Sequence, residues 1–370
     1  MKKKHILVVS VSAGAGHVRA AQAIEEEVSQ AYPKHSVIHV DLLDYVSLPM
    51  KKVIKELYGV IVKTLPELWG YIYQKSDNAT QIRRYTMLTN KLGQLNATKF
   101  YQFLDTEQPD QVICTHSLPA QIIKQSKITE HRRIPISMVI TDYFFHSYWL
   151  IEEVNKYFVA TPKMKWHMER CGVPKKHIHV SGIPVSPVFY KKKDVSVLKK
   201  KYKIRKDEKV VLVLSGGQGL GQSNKIVQGL FGQVFGAPIH IIAIAGKNKR
   251  LHAALTKLKN DVPVKMNYTV VGWTDNMDEY MRIADVVISK PGGITTSECL
   301  ALGKPLIAVN PIPGQEERNA QYLLEVGGGH IAVNDLDIMY YTEQAIKKNS
   351  KHTVVRKRQT TKNILKKLLV

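Results

Sequence analysis

The chain has 370 residues, 44% of them hydrophobic, which is enough material for two domains of about 150 residues. Its net charge of +23 favours nucleic acid, an anionic membrane face or a phosphorylated ligand as partner. No apolar run reaches the roughly 18 residues that span a membrane, and three separated cysteines without a CxxC argue against disulfides and structural zinc.

Short apolar runs alternate with helical patterns in both halves of the chain. Many of the runs lack polar alternation, as is typical of parallel strands buried on both faces. We therefore predict an α/β fold of the GT-B type, with two Rossmann-like domains facing across a cleft. The predicted strands are Ile6–Val9, Val37–Val40, Val112–Cys114, Ile136–Ile140, Tyr157–Ala160 and Ile178–Val180, then Val210–Leu214, Ile239–Ala243, Thr269–Val271, Val286–Ile288 and Leu306–Val309.

Composition predicts the domain limits. Residues 1–187 form the first domain, 188–209 a basic linker, 210–340 the second domain and 341–370 a basic C-terminal helix. A helical insert at about 48–104 interrupts the first domain. It carries Lys51, Lys52, Lys55 and Trp69 beside an apolar face. It either lies in a membrane interface or packs as a core helix with a lysine rim.

The last residues of the chain combine basic and apolar side chains. Ile364, Leu365, Leu368 and Leu369 alternate with lysines, so this segment either touches lipid or packs back across the first domain. With the insert, it makes an anionic membrane surface the expected partner and the cytoplasmic face the expected location.

The first glycine loop, residues 12–17, follows the first strand and precedes a helix predicted to begin near Arg19. Gly14 and Gly16 resemble part of a dinucleotide fingerprint that lacks its third glycine. His17 would lie at the helix N-terminus, where the helix dipole lowers an imidazole pKa and keeps the ring neutral. It is either a general base or a capping residue.

A second polar segment, residues 141–149, follows the strand Ile136–Ile140. Asp142 lies at the carboxyl end of that strand, where it orients His17, acts as the base itself or caps the loop. His146 and Trp149 are candidates for shaping an acceptor pocket.

Two glycine loops in the second half predict a nucleotide site. In residues 215–221, the glycines let backbone N–H groups approach a diphosphate, although the Gly-Lys-Ser/Thr ending of a P-loop is absent. Residues 289–298 place a glycine pair before a helix start, which is an anion site. Glu298, one turn later, would accept two ribose hydroxyls. The predicted donor-binding residues of these loops and their neighbours are Gly216, Gly217, Gly219, Trp273, Thr274, Gly292, Gly293, Ile294, Thr295, Glu298, Gln315, Glu316 and Asn319.

Nothing in the sequence predicts a metal or another cofactor. Asp335 and Asp337 form a DxD pattern, but its position after the donor motifs is typical of a helix cap. The fourteen histidines show no ligand spacing.

These motifs together resemble a known family. GxGH, Thr-Asp-x3-His-x2-Trp, Gly-Ile-Pro-Val, Ser-Lys-Pro-Gly-Gly-Ile-Thr and Pro-Gly-Gln-Glu-x2-Asn recur in this order in the family of processive diacylglycerol glucosyltransferases and monogalactosyldiacylglycerol synthases, which is related to the peptidoglycan N-acetylglucosaminyltransferases. The resemblance spans about residues 5–330. It departs at Ala15, where the plant enzymes have glycine, and in residues 223–237.

The resemblance implies a GT-B fold, a UDP-sugar donor, diacylglycerol or glycosylated diacylglycerol as acceptor, peripheral membrane binding and inversion at the anomeric carbon. It places Gly292, Gly293 and Thr295 by the diphosphate, Glu298 at the ribose, and Gln315 and Glu316 at the sugar. His17 and Asp142 become the candidate bases. Glucose is the expected sugar. The alternatives are another lipid-linked N-acetylglucosaminyl transfer or a UDP-sugar 2-epimerase, and we do not expect a nucleic-acid binder.

Overall fold

The computed structural model describes residues 3–49, 51–52, 54, 70, 97–124, 134–216, 222–347 and 360–369. The chain divides into two compact units. The first comprises Met1–Pro187, Pro313–Gln315 and Gln359–Val370, and the second comprises Val188–Ile312 and Glu316–Arg358.

The first unit is built on a six-stranded parallel sheet of order β2-β1-β3-β4-β5-β6. Its strands are β1 His5–Ser10, β2 Ser36–Asp41, β3 Gln111–Cys114, β4 Ile136–Val139, β5 Val154–Val159 and β6 Ile178–Val180. Its described helices are α1 Ala15–Ala31, α2 Thr98–Glu107, α3 Ser117–Lys124 and α4 Pro162–Arg170, with a last helix contributed by the end of the chain.

The second unit holds another six-stranded parallel sheet, of order β12-β11-β10-β7-β8-β9. Its strands are β7 Lys209–Leu214, β8 Ile239–Ile244, β9 Met266–Val271, β10 Val286–Ser289, β11 Leu306–Val309 and β12 Gly329–Ala332. Its described helices are α5 Val195–Lys201, α6 Ser223–Phe231, α7 Lys249–Lys257, α8 Met277–Ile283, α9 Gly293–Leu302, α10 Gln315–Glu325 and α11 Asp335–Lys347. The first residue of α10, Gln315, is grouped with the first unit, and the last described helix of the chain is α12 Thr360–Leu369.

Both sheets confirm the α/β fold class, since helices flank parallel strands in each unit. The central strands β3, β4, β8, β10 and β11 are buried along their whole length, which explains their apolar sequences without alternation. All eleven predicted strands are present.

The twelfth strand, β12, was missed by the sequence analysis. Its sequence begins at the end of a three-glycine run, which is typical of a loop. Gly329 nevertheless pairs with Leu306 of β11. A Cβ atom on Gly329 would lie 1.9 Å from the Leu306 carbonyl oxygen, so the close approach of the two strands requires glycine here.

Helix α1 begins at Ala15, four residues before the predicted start near Arg19. Gly14 is the N-cap in extended conformation and uses no side chain to cap the helix. Because Ala15 and Gly16 are small, the chain turns into the helix directly after the loop. His17 therefore lies within the first turn.

Helix α12 packs in the core of the first unit. Its apolar side chains Ile364, Leu365, Leu368 and Leu369 are buried in one cluster with residues of β1, α1, β3, β4 and β5. Thr361 Oγ1 also donates a hydrogen bond to the Val185 carbonyl at 2.9 Å. The sequence left two interpretations of this segment open, contact with lipid or packing across the first domain. The structure shows that its apolar face packs in the first unit.

Within the described part of the chain, no helix combines the length and the hydrophobicity needed to cross a bilayer. The central part of the predicted insert, with Lys55 and Trp69, lies outside the described residues.

Candidate active site

The first unit places its candidate catalytic residues where the strand order reverses. Strand β1 lies between β2 and β3, so the loops after β1 and β3 leave toward opposite sides and open a crevice at the carboxyl edge. His17 follows β1, Thr115 follows β3, and Thr141 and Asp142 follow β4. The sheet thus gathers residues that are far apart in sequence.

The His17 ring is held through its Nδ1 atom. Nδ1 lies 2.7 Å from the Thr115 carbonyl oxygen and 3.0 Å from Thr141 Oγ1. A carbonyl oxygen only accepts, so in the neutral ring Nδ1 carries the proton and Nε2 has the lone pair. Thr115 Oγ1 also donates to the His17 carbonyl at 2.9 Å, which fixes the first turn of α1. The arrangement presents Nε2 as a proton acceptor.

The surroundings of the His17 ring disfavour its protonated form. Burial lowers the pKa of His17, while the Asp142 charge and the hydrogen bond to Thr115 partly oppose that shift. The main cause of the lowered pKa is therefore burial and not the predicted helix dipole. A second imidazole, His116, packs edge-on with ring centroids 4.7 Å apart. Burial and the neighbouring His17 hold the pKa of His116 well below its usual value.

Asp142 is almost completely buried, with 4% of its surface exposed. Its carboxylate acts on His17 through space and favours the protonated ring. Gln315, which belongs to the first unit, donates from Nε2 to Asp142 Oδ2 at 2.9 Å. This contact occupies the amide that the sequence analysis assigned to the donor sugar.

His146 and Trp149 lie inside the first unit. Tyr148 N donates to His146 Nδ1 at 3.1 Å, and the His146 side chain is buried. Trp149 has no exposed surface, and its ring centroid lies 6.3 Å from that of His17. Both residues therefore support the crevice from within, and their contact with an acceptor stays a prediction.

The predicted membrane residues are only partly described. Lys51 Nζ forms an ion pair with Asp44 Oδ1 at 2.7 Å, so part of its charge is compensated within the unit. Lys52 is exposed. Their role at a membrane stays a prediction.

The second unit has its own reversal of strand order, with β7 flanked by β8 and β10. Gly216 follows β7 with φ +70, a left-handed conformation that favours glycine. Gly292 and Gly293 follow β10, and Gly292 is an extended N-cap of α9 without a side-chain cap bond. The first-turn N–H groups of α9, from Gly293 to Thr295, have no acceptor within the helix. Gly217 and Gly219 lie outside the described residues.

A partial positive charge and orphan donors at the α9 N-terminus form the predicted anion site. Glu298 lies about one turn further along α9 and is half-buried. Glu316 lies close by, because a Cβ on Gly292 would be 3.8 Å from its Oε1 atom. Glu316 Oε2 accepts from Ile312 N at 2.8 Å, so this carboxylate also caps the loop before α10. Asn319, on the same helix, is buried.

The loops after β8 and β9 meet at an exposed aromatic ring. Trp273 is 44% exposed, and Lys247 Nζ lies 4.4 Å from its ring centroid, a cation–π distance. Thr274 Oγ1 accepts from Asn276 N at 3.1 Å and so shapes the loop. Since β8 and β9 follow β7 in the sheet, these residues lie along the same carboxyl edge as Gly216.

Comparison with known proteins identifies the family. The profile described as Monogalactosyldiacylglycerol (MGDG) synthase matches residues 17–185, and that of the Glycosyltransferase family 28 C-terminal domain matches residues 210–368. The processive diacylglycerol beta-glucosyltransferase of Bacillus subtilis (strain 168) is 31% identical over 343 residues, covering 90% of this chain and 84% of that protein. The chain belongs to the diacylglycerol glycosyltransferase family. The suspected resemblance and the assignment to an enzyme of sugar transfer are thus confirmed.

Solved structures show the same fold at low identity. The MurG protein of Acinetobacter baumannii matches with a TM-score of 0.59 and 13% identity, covering 100% of this chain and 99% of MurG. The UDP-GlcNAc 2-epimerase of Neisseria meningitidis matches with a TM-score of 0.58 and 14% identity, covering 99% of each chain. Two enzyme classes therefore share this fold, and the fold alone does not choose between them.

Some residues around His17 and Trp273 were not predicted from the sequence. Thr115 and His116 contact His17, yet each looks ordinary in the sequence, whereas Thr141, which also contacts His17, is the first residue of the Thr-Asp-x3-His-x2-Trp motif. Lys247 was missed because lysines and arginines number 54 in this chain. Its sequence signal is the preceding glycine, Gly246, which lies two residues after β8 and adopts φ +61.

Proposed function

We propose that this protein transfers a hexose, glucose by preference, from a UDP-sugar to diacylglycerol or to a glycosylated diacylglycerol, with inversion. The observation that carries the proposal is the hydrogen bond between His17 Nδ1 and the Thr115 carbonyl, at 2.7 Å. It leaves Nε2 of a neutral imidazole as the base at the carboxyl edge of the first sheet. Family membership supports the lipid acceptor.

The proposed reaction is a single displacement. Nε2 of His17 removes the proton of the lipid hydroxyl as its oxygen bonds to the anomeric carbon. The bond between that carbon and the diphosphate oxygen breaks, and UDP leaves with the bonding electrons. Asp142 stabilises the imidazolium that forms, because its charge raises the pKa of His17.

The second unit would hold the donor. The α9 N-terminus and the backbone at Gly216 suit the diphosphate, where preorganised N–H groups stabilise the charge that develops on the leaving group. We propose that these groups serve without a metal ion. Glu298 would accept the ribose hydroxyls and Trp273 would stack on the base. Glu316 and Asn319 would contact the sugar.

Because the proposed acceptor is a membrane lipid, we propose peripheral binding at the cytoplasmic face of an anionic membrane. The net charge of +23 supports this, because cationic surfaces bind anionic leaflets. Nucleic acid is not proposed as a partner, since charge alone would leave the glycine loops and Glu298 without a role.

Incubation with labelled UDP-glucose, UDP-galactose or UDP-N-acetylglucosamine and diacylglycerol vesicles tests the proposal. We expect label in a lipid product from UDP-glucose, in the β configuration by NMR. If only UDP-N-acetylglucosamine gave a labelled lipid, the transferred sugar would be N-acetylglucosamine and not glucose. Sugar-nucleotide turnover without lipid, and no lipid product, would indicate an epimerase.

A further inference from the structure

A cationic cavity lies in the first unit, away from the loops that carry His17. It is formed by α4, β5, β6 and α12, is open to solvent on one side and has a volume of about 400 Å³. We call it the basic pocket. Its lining residues are Phe158, Lys165, Ile178, His179, Val180, Ser181, Asn363, Lys366 and Lys367.

Two further lysines lie at the end of α12, next to this lining. Lys156 Nζ donates to the Lys367 carbonyl at 2.7 Å, and Lys4 Nζ donates to the Leu368 carbonyl at 3.0 Å. Carbonyls in the last turn of a helix need such donors, so these amines have a structural role as caps. They also bring positive charge beside the pocket, and Lys4 and Lys367 contribute to the lowered pKa of Lys156, whose main cause is burial.

The lysines that line the basic pocket have few carboxylates near them to compensate their charge. Lys165 Nζ donates to the Ile178 carbonyl at 3.0 Å and lies 3.9 Å from Glu169 Oε1. Among the described residues, Glu169 is the one carboxylate that forms an ion pair with a lysine lining this pocket. Lys366 and Lys367 are exposed on α12. Helix capping therefore explains Lys4 and Lys156 but not the cations that face the pocket.

His179 supplies an unsatisfied polar atom at the wall. Its Nε2 is buried and has no hydrogen-bond partner within the described part of the chain. Its ring packs near Phe158 with centroids 5.4 Å apart, so it is held in place. Burial, followed by Lys156, Lys367 and Lys165, lowers the pKa of His179. A neutral ring with the proton on Nε2 would donate to an anionic oxygen placed here.

We propose that the basic pocket binds a dianionic phosphate monoester, which would accept hydrogen bonds from His179 and the surrounding lysines. A cavity of about 400 Å³ lies in the size range of small-ligand sites. A doubly charged group matches several lysines better than a phosphodiester with one charge. The monoester comes either from a lipid headgroup such as phosphatidate or from a soluble metabolite. This site does not depend on the proposed sugar transfer.

Binding of the full chain is measured in two arms. Calorimetry follows glycerol 3-phosphate, a soluble monoester. Sedimentation follows vesicles that contain phosphatidate, and vesicles of equal surface charge made with phosphatidylglycerol, a diester. Competition of glycerol 3-phosphate with phosphatidate vesicles tells whether both sources use one site.

The test variant is Lys366→Gln/Lys367→Gln. Its matched control is Lys257→Gln/Lys259→Gln, which removes the same charge from two exposed lysines of the second unit. We expect monoester binding to weaken by about thirtyfold in the test variant, since each lysine near an anionic surface contributes roughly fivefold. The control should change it by less than about twofold. His179→Phe, which keeps the ring packing, should weaken it by about tenfold.

Affinity that falls equally in the test and control variants would overturn the proposal, because only net charge would then matter. Equal binding to both vesicle types without competition by glycerol 3-phosphate would also overturn it. Monoester binding that is unchanged in His179→Phe and in Lys366→Gln/Lys367→Gln would likewise overturn the proposal. All these readouts are binding constants, so they stand apart from transferase activity.

Discussion

Replacement of His17 by alanine is the sharpest perturbation of the proposed mechanism. The substitution removes Nε2 together with the two ring contacts of Nδ1, to the Thr115 carbonyl and to Thr141 Oγ1, and leaves the backbone pairing of the sheet unchanged. General-base catalysis contributes about 10²–10⁴-fold, so kcat should fall by that factor, or about 3–5 kcal/mol. Donor affinity should be retained. The matched control is His35→Ala, since His35 lies just before β2, at the amino end of the same sheet.

The pH dependence of kcat gives a second quantitative test of His17 as the base. An imidazole with the ordinary pKa of about 6.5 is already about three-quarters neutral at pH 7. Burial lowers the pKa of His17, so the neutral fraction is larger still. Raising the pH from 7 to 8 should therefore increase kcat by less than about 1.3-fold. The acid limb of the kcat profile should have its midpoint below 6.5.

Asp142→Asn separates the two candidate bases. The Asp142 charge raises the pKa of His17, so its removal should move the acid limb to lower pH while turnover persists at a reduced plateau. The assay is transfer of labelled glucose to vesicle diacylglycerol across the pH range. An acid limb that survives in His17→Ala but disappears in Asp142→Asn would refute the assignment and make Asp142 the base.

Three further predictions concern the second unit and the membrane. Glu298→Gln should weaken UDP binding about tenfold or more by calorimetry, because a hydrogen bond to a charged group contributes about 1.5–3 kcal/mol; unchanged affinity would remove Glu298 from the ribose site. Gly329→Ala should destabilise the second unit by about 3 kcal/mol or more in thermal unfolding, since its Cβ would lie 1.9 Å from the Leu306 carbonyl oxygen. Gly236→Ala, where no atom lies within 4 Å of the added Cβ, should change little and is the control. Vesicle binding should require anionic lipid and weaken as salt rises, and equal binding to neutral vesicles would contradict the electrostatic argument.

The sequence predicted the strands well because burial on both faces leaves a continuous apolar run. That signal lies within each strand's own sequence and does not depend on which strands pair with it in the sheet. Strand β12 lacks this continuous apolar run. It begins with Gly329, because β11 approaches so closely there that no side chain fits. Helix α1 was predicted to begin late for a related reason: Gly14 and Gly16 have no side chains that distinguish a loop from a helix start.

The candidate site was predictable in part. His17, Asp142, Gly292 and Glu298 could be proposed from the sequence because they lie in glycine-containing loops, at the start of the helix that follows, or at a strand end. The hydrogen bond from His17 to Thr115 joins residues 98 positions apart, so it depends on the pairing of β1 with β3. No local pattern encodes such a contact. The dominance of burial in the pKa of His17 also requires the packed structure.

The position of α12 has a consequence for biosynthesis. Residues of this helix complete the core of a unit whose sheet ends near residue 180, although the whole second unit is translated in the interval. At about 5–20 residues per second, the ribosome takes roughly 10–40 s to make that intervening stretch. During this time the apolar surface of β1 and α1 that α12 covers lacks its partner. A nascent chain should therefore hold an incomplete first unit, open to chaperones, until its last helix emerges.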